Sequence, residues 1–281
     1  MVNNSCFIVL NYNGVNFLEN NLSQVFKQCS KSNIDFFVGD DNSSDGSIEY
    51  LQKNDIQFFI NKNKNKGYAA NLNNVLKRIS NSSYSEFIVS NSDIELPQDF
   101  FEQYFYLINK LRKIKKWGLL GFTESNTPVT NNHALHESRQ IKKVKNINGF
   151  LYTINKDLIN EIGFFDEEYF MYGEDNDYFY RTTKAGYKIF ESSLKIFHYS
   201  EGSKSNNKQN SWLAYRNSIL FAKKNLNLSG TLKLILSLIH IIYNPFYKKN
   251  DPSVNRLRRS GFINNHKMLI RSIIWNLNKK L

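Results

Sequence analysis

The first hundred residues alternate short apolar runs with amphipathic stretches. "CFIVLNYN", "IDFFVGDDNSSDGS", "IQFFIN" and "SEFIVSNSDIELP" have the length and apolar character of buried strands. Between them, "FLENNLSQVFKQC", "SIEYLQKN" and "GYAANLNNVLKRIS" have helical spacing. Strands that alternate with helices predict an α/β fold with a parallel sheet covered by helices.

Polar clusters follow the first, second and fourth of these strands. Ligands of parallel sheets bind at the carboxyl ends of the strands, so the three clusters are expected along one edge. Asp40 ends the second strand and could accept a hydrogen bond from a nucleobase. The alternative is an Asx-rich turn that caps the helix beginning near Ser47.

The fourth strand ends in Asn91, Ser92 and Asp93. A carboxylate at a strand end could hold Mg²⁺ or Mn²⁺, because hard cations take oxygen ligands. An ordinary turn is the alternative. His198, in "KIFHYSEGS", follows another apolar run. A lone histidine there is more often a hydrogen-bonded polar residue than a metal ligand.

"FMYGEDNDYFYR" places Glu174, Asp175 and Asp177 within four positions among large aromatic residues. An exposed helix start would explain these acids, since negative side chains favour helix N-termini. The other interpretation is a carboxylate held in a cleft to take a proton. Neither follows from this stretch alone.

The rest of the chain is strongly basic. Residues 110–148 are basic and poorly periodic, and 126–146 are predicted to be a long exposed loop that could cover a site. "WLAYRNSILFAKKNL" and "TLKLILSLIHIIY" are predicted helices, and Pro245 ends the second. From Lys248 to Leu281 there are nine Lys or Arg against one acid. The net charge of +12 predicts an anionic partner: a nucleotide, a nucleic acid or a membrane surface.

Two cysteines, Cys6 and Cys29, give neither a disulfide framework nor metal-site spacing, so a reducing, cytoplasmic compartment is expected. The N-terminus lacks the pattern of a signal peptide. No apolar stretch reaches the length of a membrane-spanning helix.

Taken in order, the motifs resemble the family-2 glycosyltransferases. The resemblance covers about residues 5–222 and is carried by "IVLNYNG", "VGDDNSSDGS", "NKGYAANLN", "VSNSDIELP", "GFFDEEYFMYGEDNDYFYR", "KAGYKIF", "IFHYSEGS" and "YRNSI". The branch that these motifs are most similar to contains rhamnosyltransferase-like and galactofuranosyltransferase-like bacterial enzymes.

This resemblance implies a GT-A fold at residues 1–222, followed by a helical, basic segment at 223–281. It implies inverting transfer of a sugar from a nucleoside diphosphate to a hydroxyl of a glycan or lipid-linked glycan, in bacterial cell-surface polysaccharide synthesis. The donor would be dTDP-rhamnose or a UDP-sugar, and the enzyme a hexosyltransferase.

The resemblance also assigns roles to residues. Asp175 matches the catalytic base, and its neighbour Glu174 would orient the acceptor. Asp93 and His198 match ligands of Mn²⁺ or Mg²⁺, although Asn91 stands where the first acid of the Asp-x-Asp motif is usual. The donor nucleotide site would comprise Asn11, Asn13, Asp40, Asn42, Gly67, Asn71 and Ser92. Lys66 could meet a phosphate, and Arg216 could touch the diphosphate or brace the site.

Aromatic residues near Asp175 could pack on a sugar ring, but most of them are expected in the core. They are Phe165, Phe170, Tyr172 and Tyr178. The C-terminal helices, with a polybasic segment and Trp275 nearby, fit peripheral attachment to the anionic inner face of the cell membrane. Packing on the catalytic domain or at a dimer interface is the alternative.

Other functions remain open from sequence alone. A nucleotidyltransferase would need a Gly-rich triphosphate motif, which we do not find. A nucleic-acid-binding module would need its basic residues along one groove, whereas here they lie away from the motif strands, so nucleic acid is not an expected partner. A catalytically degenerate family member could act as a scaffold or basic binding module.

Overall fold

The computed structural model describes residues 4–125, 127–128, 139–199, 207–244 and 262–279. The chain forms two compact units. The first comprises Met1–Glu167 and Tyr178–Tyr199, and the second comprises Glu168–Asp177 and Ser200–Leu281. The predicted boundary at residue 222 falls inside a helix of the second unit and stays a prediction.

The first unit contains the predicted parallel sheet. Its strands are β1 (Ser5–Asn11), β2 (Asp35–Asp40), β3 (Phe58–Ile60) and β4 (Glu86–Asn91). They are parallel and lie in the order β3-β2-β1-β4. Their continuous apolar runs reflect burial on both faces, as is usual for parallel strands.

Helices connect these strands where their spacing predicted them. The first begins as α1 (Val15–Phe17), passes through a π-helical stretch (Leu18–Leu22) and continues as α2 (Ser23–Lys31). The others in and around this unit are α3 (Ser47–Lys53), α4 (Tyr68–Ile79), α5 (Phe100–Leu111), α6 (Lys156–Ile162) and α7 (Glu174–Lys184).

Five further strands extend the sheet. They are β5 (Ile94–Glu95), β6 (Trp117–Ser125), β7 (Ile141–Val144), β8 (Leu151–Asn155) and β9 (Lys188–His198). β8 is antiparallel to both β4 and β6, and β9 runs parallel to β6. β5 and β7 each pair antiparallel with β9. Within the described residues the result is one mixed sheet of nine strands.

Two strands within residues 110–148 were not predicted, and the second of them shows that the predicted loop at 126–146 was wrong for Ile141–Val144. "WGLLGF" opens β6, which is buried in the sheet, and Ile141–Val144 form an edge strand. Because both faces of β6 are covered, its sequence shows no alternation of polar and apolar residues. Its apolar run is also short and follows a basic stretch, so the local pattern did not indicate a strand. Residues 126 and 129–138 of the predicted loop lie outside the described residues.

Two apolar cores cover the two faces of the sheet. Along β1, Phe7 and Val9 belong to one core, while Cys6, Ile8 and Leu10 belong to the other. This alternation is the two-residue period of a strand. Full burial of each large apolar side chain contributes about 1.5–3 kcal/mol.

Three helices dominate the second unit: α8 (Asn207–Asn225), α9 (Leu228–Tyr243) and α10 (Phe262–Asn278). Their own core joins Tyr215, Ile219, Leu238 and Leu269. α9 begins after Asn227, whose Oδ1 accepts from the Gly230 N–H at 2.9 Å. Among the helices of the described residues, none is both long and apolar enough to cross a bilayer.

Candidate active site

The polar ends of β1, β2 and β4 lie side by side. The sheet register pairs Asn11 with Asp40 and Leu10 with Asn91. Asn11 Nδ2 donates to Asp40 Oδ2 at 2.8 Å. These contacts show that the three clusters predicted to share one edge of the sheet do so.

Asp40 organises the turn after β2. The Ser43 N–H donates to Oδ1 and the Ser43 hydroxyl donates to Oδ2, both at 2.8 Å. Asn13 joins the same turn: its N–H donates to Ser43 Oγ at 2.9 Å, and its Oδ1 accepts from the Ser44 N–H at 2.8 Å. Asp40 is fully buried, while Asn42 is half-buried with φ of 64°.

The helix that follows is capped by a different acid, Asp45. Its Oδ1 accepts from the Ser47 N–H at 3.1 Å and from the Ser47 hydroxyl at 2.6 Å. Its Oδ2 accepts from the Val15 N–H at 2.8 Å, where α1 begins. Burial alone would raise the pKa of Asp45, but the hydrogen bonds from Ser47 and Val15 hold the pKa below its ordinary value. Asp45 therefore anchors two helix starts at once.

Asp41, which the sequence reasoning missed, fixes the loop before α4. Its Oδ1 accepts from Asn61 Nδ2 and from the Lys66 N–H, both at 2.9 Å. Its Oδ2 accepts from the Gly67 N–H at 2.7 Å. The Lys66 side chain is exposed, so its described contact is through its backbone. Gly67 has φ of 90°, a conformation that suits glycine.

Two buried amide oxygens at this edge have no hydrogen-bond partner among the described residues: Asn11 Oδ1 and Asn71 Oδ1. Asn71 Nδ2 donates to the Gly39 carbonyl at 2.9 Å, which turns its oxygen away from that carbonyl. A Cβ at Gly14 would lie 2.5 Å from Asn11 Oδ1 and 3.2 Å from Ser92 Oγ. Any side chain at Gly14 would therefore displace the side chains of Asn11 and Ser92.

Asp93 and His198 meet at the end of the sheet. The pairing of Ile94 with His198 brings His198 Nε2 to 3.2 Å from Asp93 Oδ1. His198 Nδ1 lies 2.9 Å from Glu124 Oε1, and the Phe150 ring stacks on the imidazole at 4.9 Å. The sequence offered no signal for Glu124 or Phe150, because only the β6 and β8 pairings bring them here.

The surroundings of His198 favour its charged form. Burial alone would lower the pKa of His198, but hydrogen bonds and attraction from Asp93 and then Glu124 raise it to about 9. Carboxylate oxygen and imidazole nitrogen are both ligands that Mn²⁺ accepts. Within the described residues, no three His, Cys, Asp or Glu side chains form a group that could hold a metal ion.

The acidic motif lies in the second unit, at the start of α7. Glu174 is buried, Asp175 is half-buried, and the Asn176 N–H donates to Asp175 Oδ1 at 2.8 Å. The positive N-terminal end of the helix stabilises these carboxylates. Asp177 accepts at Oδ1 from Asn225 Nδ2 at 2.8 Å, so the third acid of the motif has a structural contact.

The aromatic residues around the motif divide into two pairs. Phe165 and Tyr178 stack at 4.0 Å in the core of the first unit. Phe170 and Tyr172 are half-exposed, with φ of 62° and 68°.

Arg216 is buried and contacts the segment before the motif. Its Nη2 donates to the carbonyls of Glu168 at 3.0 Å and Tyr169 at 2.6 Å. Burial lowers the pKa of Arg216, while Glu168 raises it. Arg216 was predicted either to touch the diphosphate or to brace the site, and these backbone contacts are of the second kind.

The protein-family model described as "Glycosyl transferase family 2" matches residues 6–173, which is more than half of the chain. No curated protein matches the chain. Several solved structures match it at low sequence identity.

Three of these structures illustrate the likeness. The mannosyltransferase PcManGT from Pyrobaculum calidifontis, solved with GDP-Man and Mn²⁺, is 14% identical with a TM-score of 0.60, over 99% of this chain and 88% of that chain. S. aureus TarS 1-349 with UDP-GlcNAc is 14% identical with a TM-score of 0.56, over 95% and 88%. GalNAc-T7 with UDP, GalNAc and Mn²⁺ is 13% identical with a TM-score of 0.64, over 99% and 58%.

At such identities the likeness establishes the fold, a mixed α/β GT-A fold, and the predicted fold class is confirmed. The family model adds the assignment by sequence. The chain belongs to glycosyl transferase family 2.

Proposed function

We propose that this protein transfers a sugar, with inversion, from a nucleoside diphosphate to a hydroxyl of a glycan acceptor. Membership of the family supports the glycosyltransferase activity. The observation that carries the proposal is a combination at one sheet edge. Two buried amide oxygens, on Asn11 and Asn71, have no partner in the described part of the chain, and the side chains of Asp93 and His198 lie side by side. A buried acceptor without a partner costs free energy, which a ligand's N–H or O–H groups would recover.

The donor nucleotide would lie along the ends of β1 and β2. Asn11 and Asn71 offer acceptors, Asp40 and Asn13 hold the turn after β2, and Gly67 brings backbone close to the edge. Asn42, Ser92 and Lys66 complete the predicted donor site. These assignments are expectations for binding experiments.

A divalent cation, Mn²⁺ or Mg²⁺, would be held by Asp93 and His198. The donor types fit it, because one carboxylate oxygen and one imidazole nitrogen lie 3.2 Å apart, and a bound cation would replace the proton that these two atoms share without it. Glu124 on Nδ1 orients the ring so that Nε2 faces Asp93, as carboxylates commonly do for metal-binding histidines. Asn91 is a further candidate ligand. Such a cation would neutralise the charge that develops on the leaving diphosphate.

Asp175 is the proposed general base, and Glu174 would orient the acceptor. A hydroxyl is a poor nucleophile near neutral pH, and a positioned carboxylate that takes its proton contributes about 10²–10⁴-fold. Mutation of Asp175 to Asn should therefore lower kcat by about that factor while donor affinity stays unchanged.

The first experiment is calorimetric titration of the protein with UDP, dTDP and GDP, with and without Mn²⁺. We expect one nucleotide to bind with metal dependence and Asp93→Asn to remove that dependence. Asp55→Asn, on an exposed turn, is the matched control. If none of the nucleotides binds, the donor site is refuted and a scaffold or basic binding module becomes the better explanation.

The nucleotide that binds would narrow the donor. The motif resemblance favours dTDP-rhamnose or a UDP-sugar, as in the rhamnosyltransferase-like and galactofuranosyltransferase-like branch. The one-bond C1–H1 coupling of the transferred sugar, measured by NMR, would then test inversion, because the H1–H2 coupling is small for both anomers of rhamnose. The acceptor class we propose is a bacterial cell-surface glycan or its lipid-linked precursor, with a hexosyl donor.

Attachment to the anionic inner face of the membrane is proposed for the second unit, with the rest of the chain in the cytoplasm. α9 and α10 present large apolar side chains to solvent on the faces opposite their core. These residues are Leu228, Leu232, Leu236, Ile239, Ile263, Ile270, Ile274 and Leu277. Lys233, Lys267 and Arg271 are exposed on the same helices, and residues 207–244 and 262–279 contain no Asp or Glu. Apolar and basic surface together fit an anionic bilayer.

Co-sedimentation with vesicles tests this attachment. We expect binding to vesicles containing phosphatidylglycerol, weaker binding to phosphatidylcholine alone, and loss of binding in Leu232→Glu/Leu236→Glu. Asn227→Ala in the same unit is the control. Concentration-dependent dimerisation without vesicle binding would instead assign the face to a second copy of this chain.

A further inference from the structure

The backbone immediately before the acidic motif takes an uncommon path. Phe170, Tyr172 and Gly173 have φ of 62°, 68° and 97°. Glycine adopts such angles readily, but Phe and Tyr are sterically disfavoured there. Two large residues in this conformation within three positions require contacts elsewhere that hold them, and such segments concentrate at functional sites.

Asn217, on α8, provides the first of these contacts. Its Nδ2 lies 2.8 Å from the Tyr169 carbonyl oxygen and 2.9 Å from that of Met171, and it also donates to the Tyr172 carbonyl. Asn217 is 2% exposed. One buried amide therefore binds three carbonyls next to the two non-glycine residues with positive φ, which fixes the orientation of three peptide groups.

Arg216, the preceding residue, provides the second contact. Its Nη2 donates to the carbonyls of Glu168 and Tyr169, and its Nε donates to Asn217 Oδ1 at 2.7 Å. The two neighbouring side chains therefore act as one unit: Arg216 orients the Asn217 amide while both hold the backbone.

The pair is itself held firmly within the second unit. The Arg216 guanidinium lies 5.4 Å from the Trp212 ring centre and 4.9 Å from that of Trp275. Asn276 Nδ2 donates to the Arg216 carbonyl at 3.1 Å. Side chains from both α8 and α10 thus fix the guanidinium, and a fixed donor fixes the backbone that it binds.

The clamped segment leads directly into the first turn of α7. A Cβ at Gly173 would lie 3.3 Å from Asn217 Cβ, so the clamp packs against the residue that precedes Glu174. The Asp177 N–H donates to the Gly173 carbonyl at 3.0 Å, the first backbone bond of that turn. Displacement of Gly173 would therefore displace Glu174 and Asp175 with it.

We propose that Arg216 and Asn217 are a positioning pair, which holds residues 169–173 with Phe170, Tyr172 and Gly173 at positive φ and thereby sets the place of Asp175. The inference rests on the proposed function for the role of Asp175. The clamp itself acts on the backbone and can be measured without any substrate. It assigns to Asn217 a role in turnover that needs no contact with donor or acceptor.

The first test compares Asn217→Ala with Asn227→Ala, which removes a helix cap in the same unit. In Asn217→Ala we expect kcat to fall on the order of 10²-fold, because a catalytic group misplaced by about 1 Å loses that much. Donor KM should change less than twofold. Hydrogen exchange of the amides at 169–176 should accelerate at least tenfold. Asn227→Ala should change none of these three quantities.

Asn217→Asp sharpens the test. It keeps an acceptor for Arg216 Nε but cannot donate to the three carbonyls. We expect it to be as damaging as Asn217→Ala. Wild-type turnover and exchange in Asn217→Asp would overturn the proposal, as would equal effects of Asn217→Ala and Asn227→Ala.

A compensating substitution tests the backbone argument directly. Tyr172→Gly, added to Asn217→Ala, should restore slow exchange at 169–176, because glycine needs no clamp at positive φ. No restoration would overturn the proposal. Asp175→Asn serves as reference, with low kcat but normal exchange. If the wild type transferred no sugar from any donor, the proposed function would fail, while exchange would still decide the clamp.

Discussion

Removal of the Asp41 carboxylate should loosen the loop that leads into α4, at the sheet edge that we propose binds the nucleotide sugar. Asp41 accepts three hydrogen bonds, from Asn61, Lys66 and Gly67. The Gly67 N–H also donates to Asn65 Oδ1 at 2.9 Å, so it keeps a partner when the carboxylate is lost. Two donors therefore lose their acceptor in Asp41→Ala.

The expected magnitude follows from these two donors. Hydrogen bonds to a charged group contribute about 1.5–3 kcal/mol each. The low end of this range applies, because Asp41→Ala also removes the free-energy cost of burying a carboxylate, a cost that is evident from the raised pKa of Asp41. We expect the free energy of unfolding to fall by about 3 kcal/mol. Asp41→Asn should cost about half as much, since its Oδ1 can still accept from Asn61 and Lys66.

Equilibrium unfolding in urea, monitored by hydrogen exchange of the amides in β1, β2 and β4, measures this loss in the first unit. Asp55→Asn is the matched control and should stay within about 0.5 kcal/mol of wild type. Nucleotide affinity should fall more in Asp41→Ala than in Asp41→Asn, because Gly67 and Asn71 come directly after the loop that loses its hydrogen bonds. A loss below about 1 kcal/mol for Asp41→Ala, or a larger loss for Asp41→Asn, would refute the reasoning.

Three further outcomes are expected. The pKa of Asp45 is held below its ordinary value, so its contribution to stability is complete above about pH 4 and disappears as pH falls through the lower folded-state value; acid unfolding of Asp45→Asn should lack this component. Cys6 and Cys29 are free and buried, with their pKa raised by burial, so iodoacetamide should label them only after urea unfolding. Arg112→Met should destabilise by about 3 kcal/mol in urea, because it leaves buried Glu86 without its bidentate partner, and Glu86→Leu should recover part of the loss.

Sequence patterns predicted the parallel half of the sheet because each strand there is a local apolar run between recognisable helices. The positions of Asp40 and Asp93 at or just after strand ends were predicted for the same reason, since each follows such a run. Asp41 stood next to Asp40 with nothing to distinguish it until its three donors were known. Glu124 contacts His198 through a strand pairing across 74 residues, which no local pattern reveals. The role of Asn217 is equally non-local, because it depends on carbonyls some 45 residues earlier in the chain.

The position of β9 governs how the first unit can fold. β6 pairs with β9 along one edge, and β5 and β7 have their sheet partner only in β9 among the described strands. Until residues 188–198 have been synthesised, β6 keeps one open edge, which can pair with other chains. Closure across some 70 residues is also slow relative to local contacts. Because β9 ends at His198, the edge proposed to bind the donor gains its imidazole in the same step that closes the sheet, and partly folded chains cannot carry the complete proposed site.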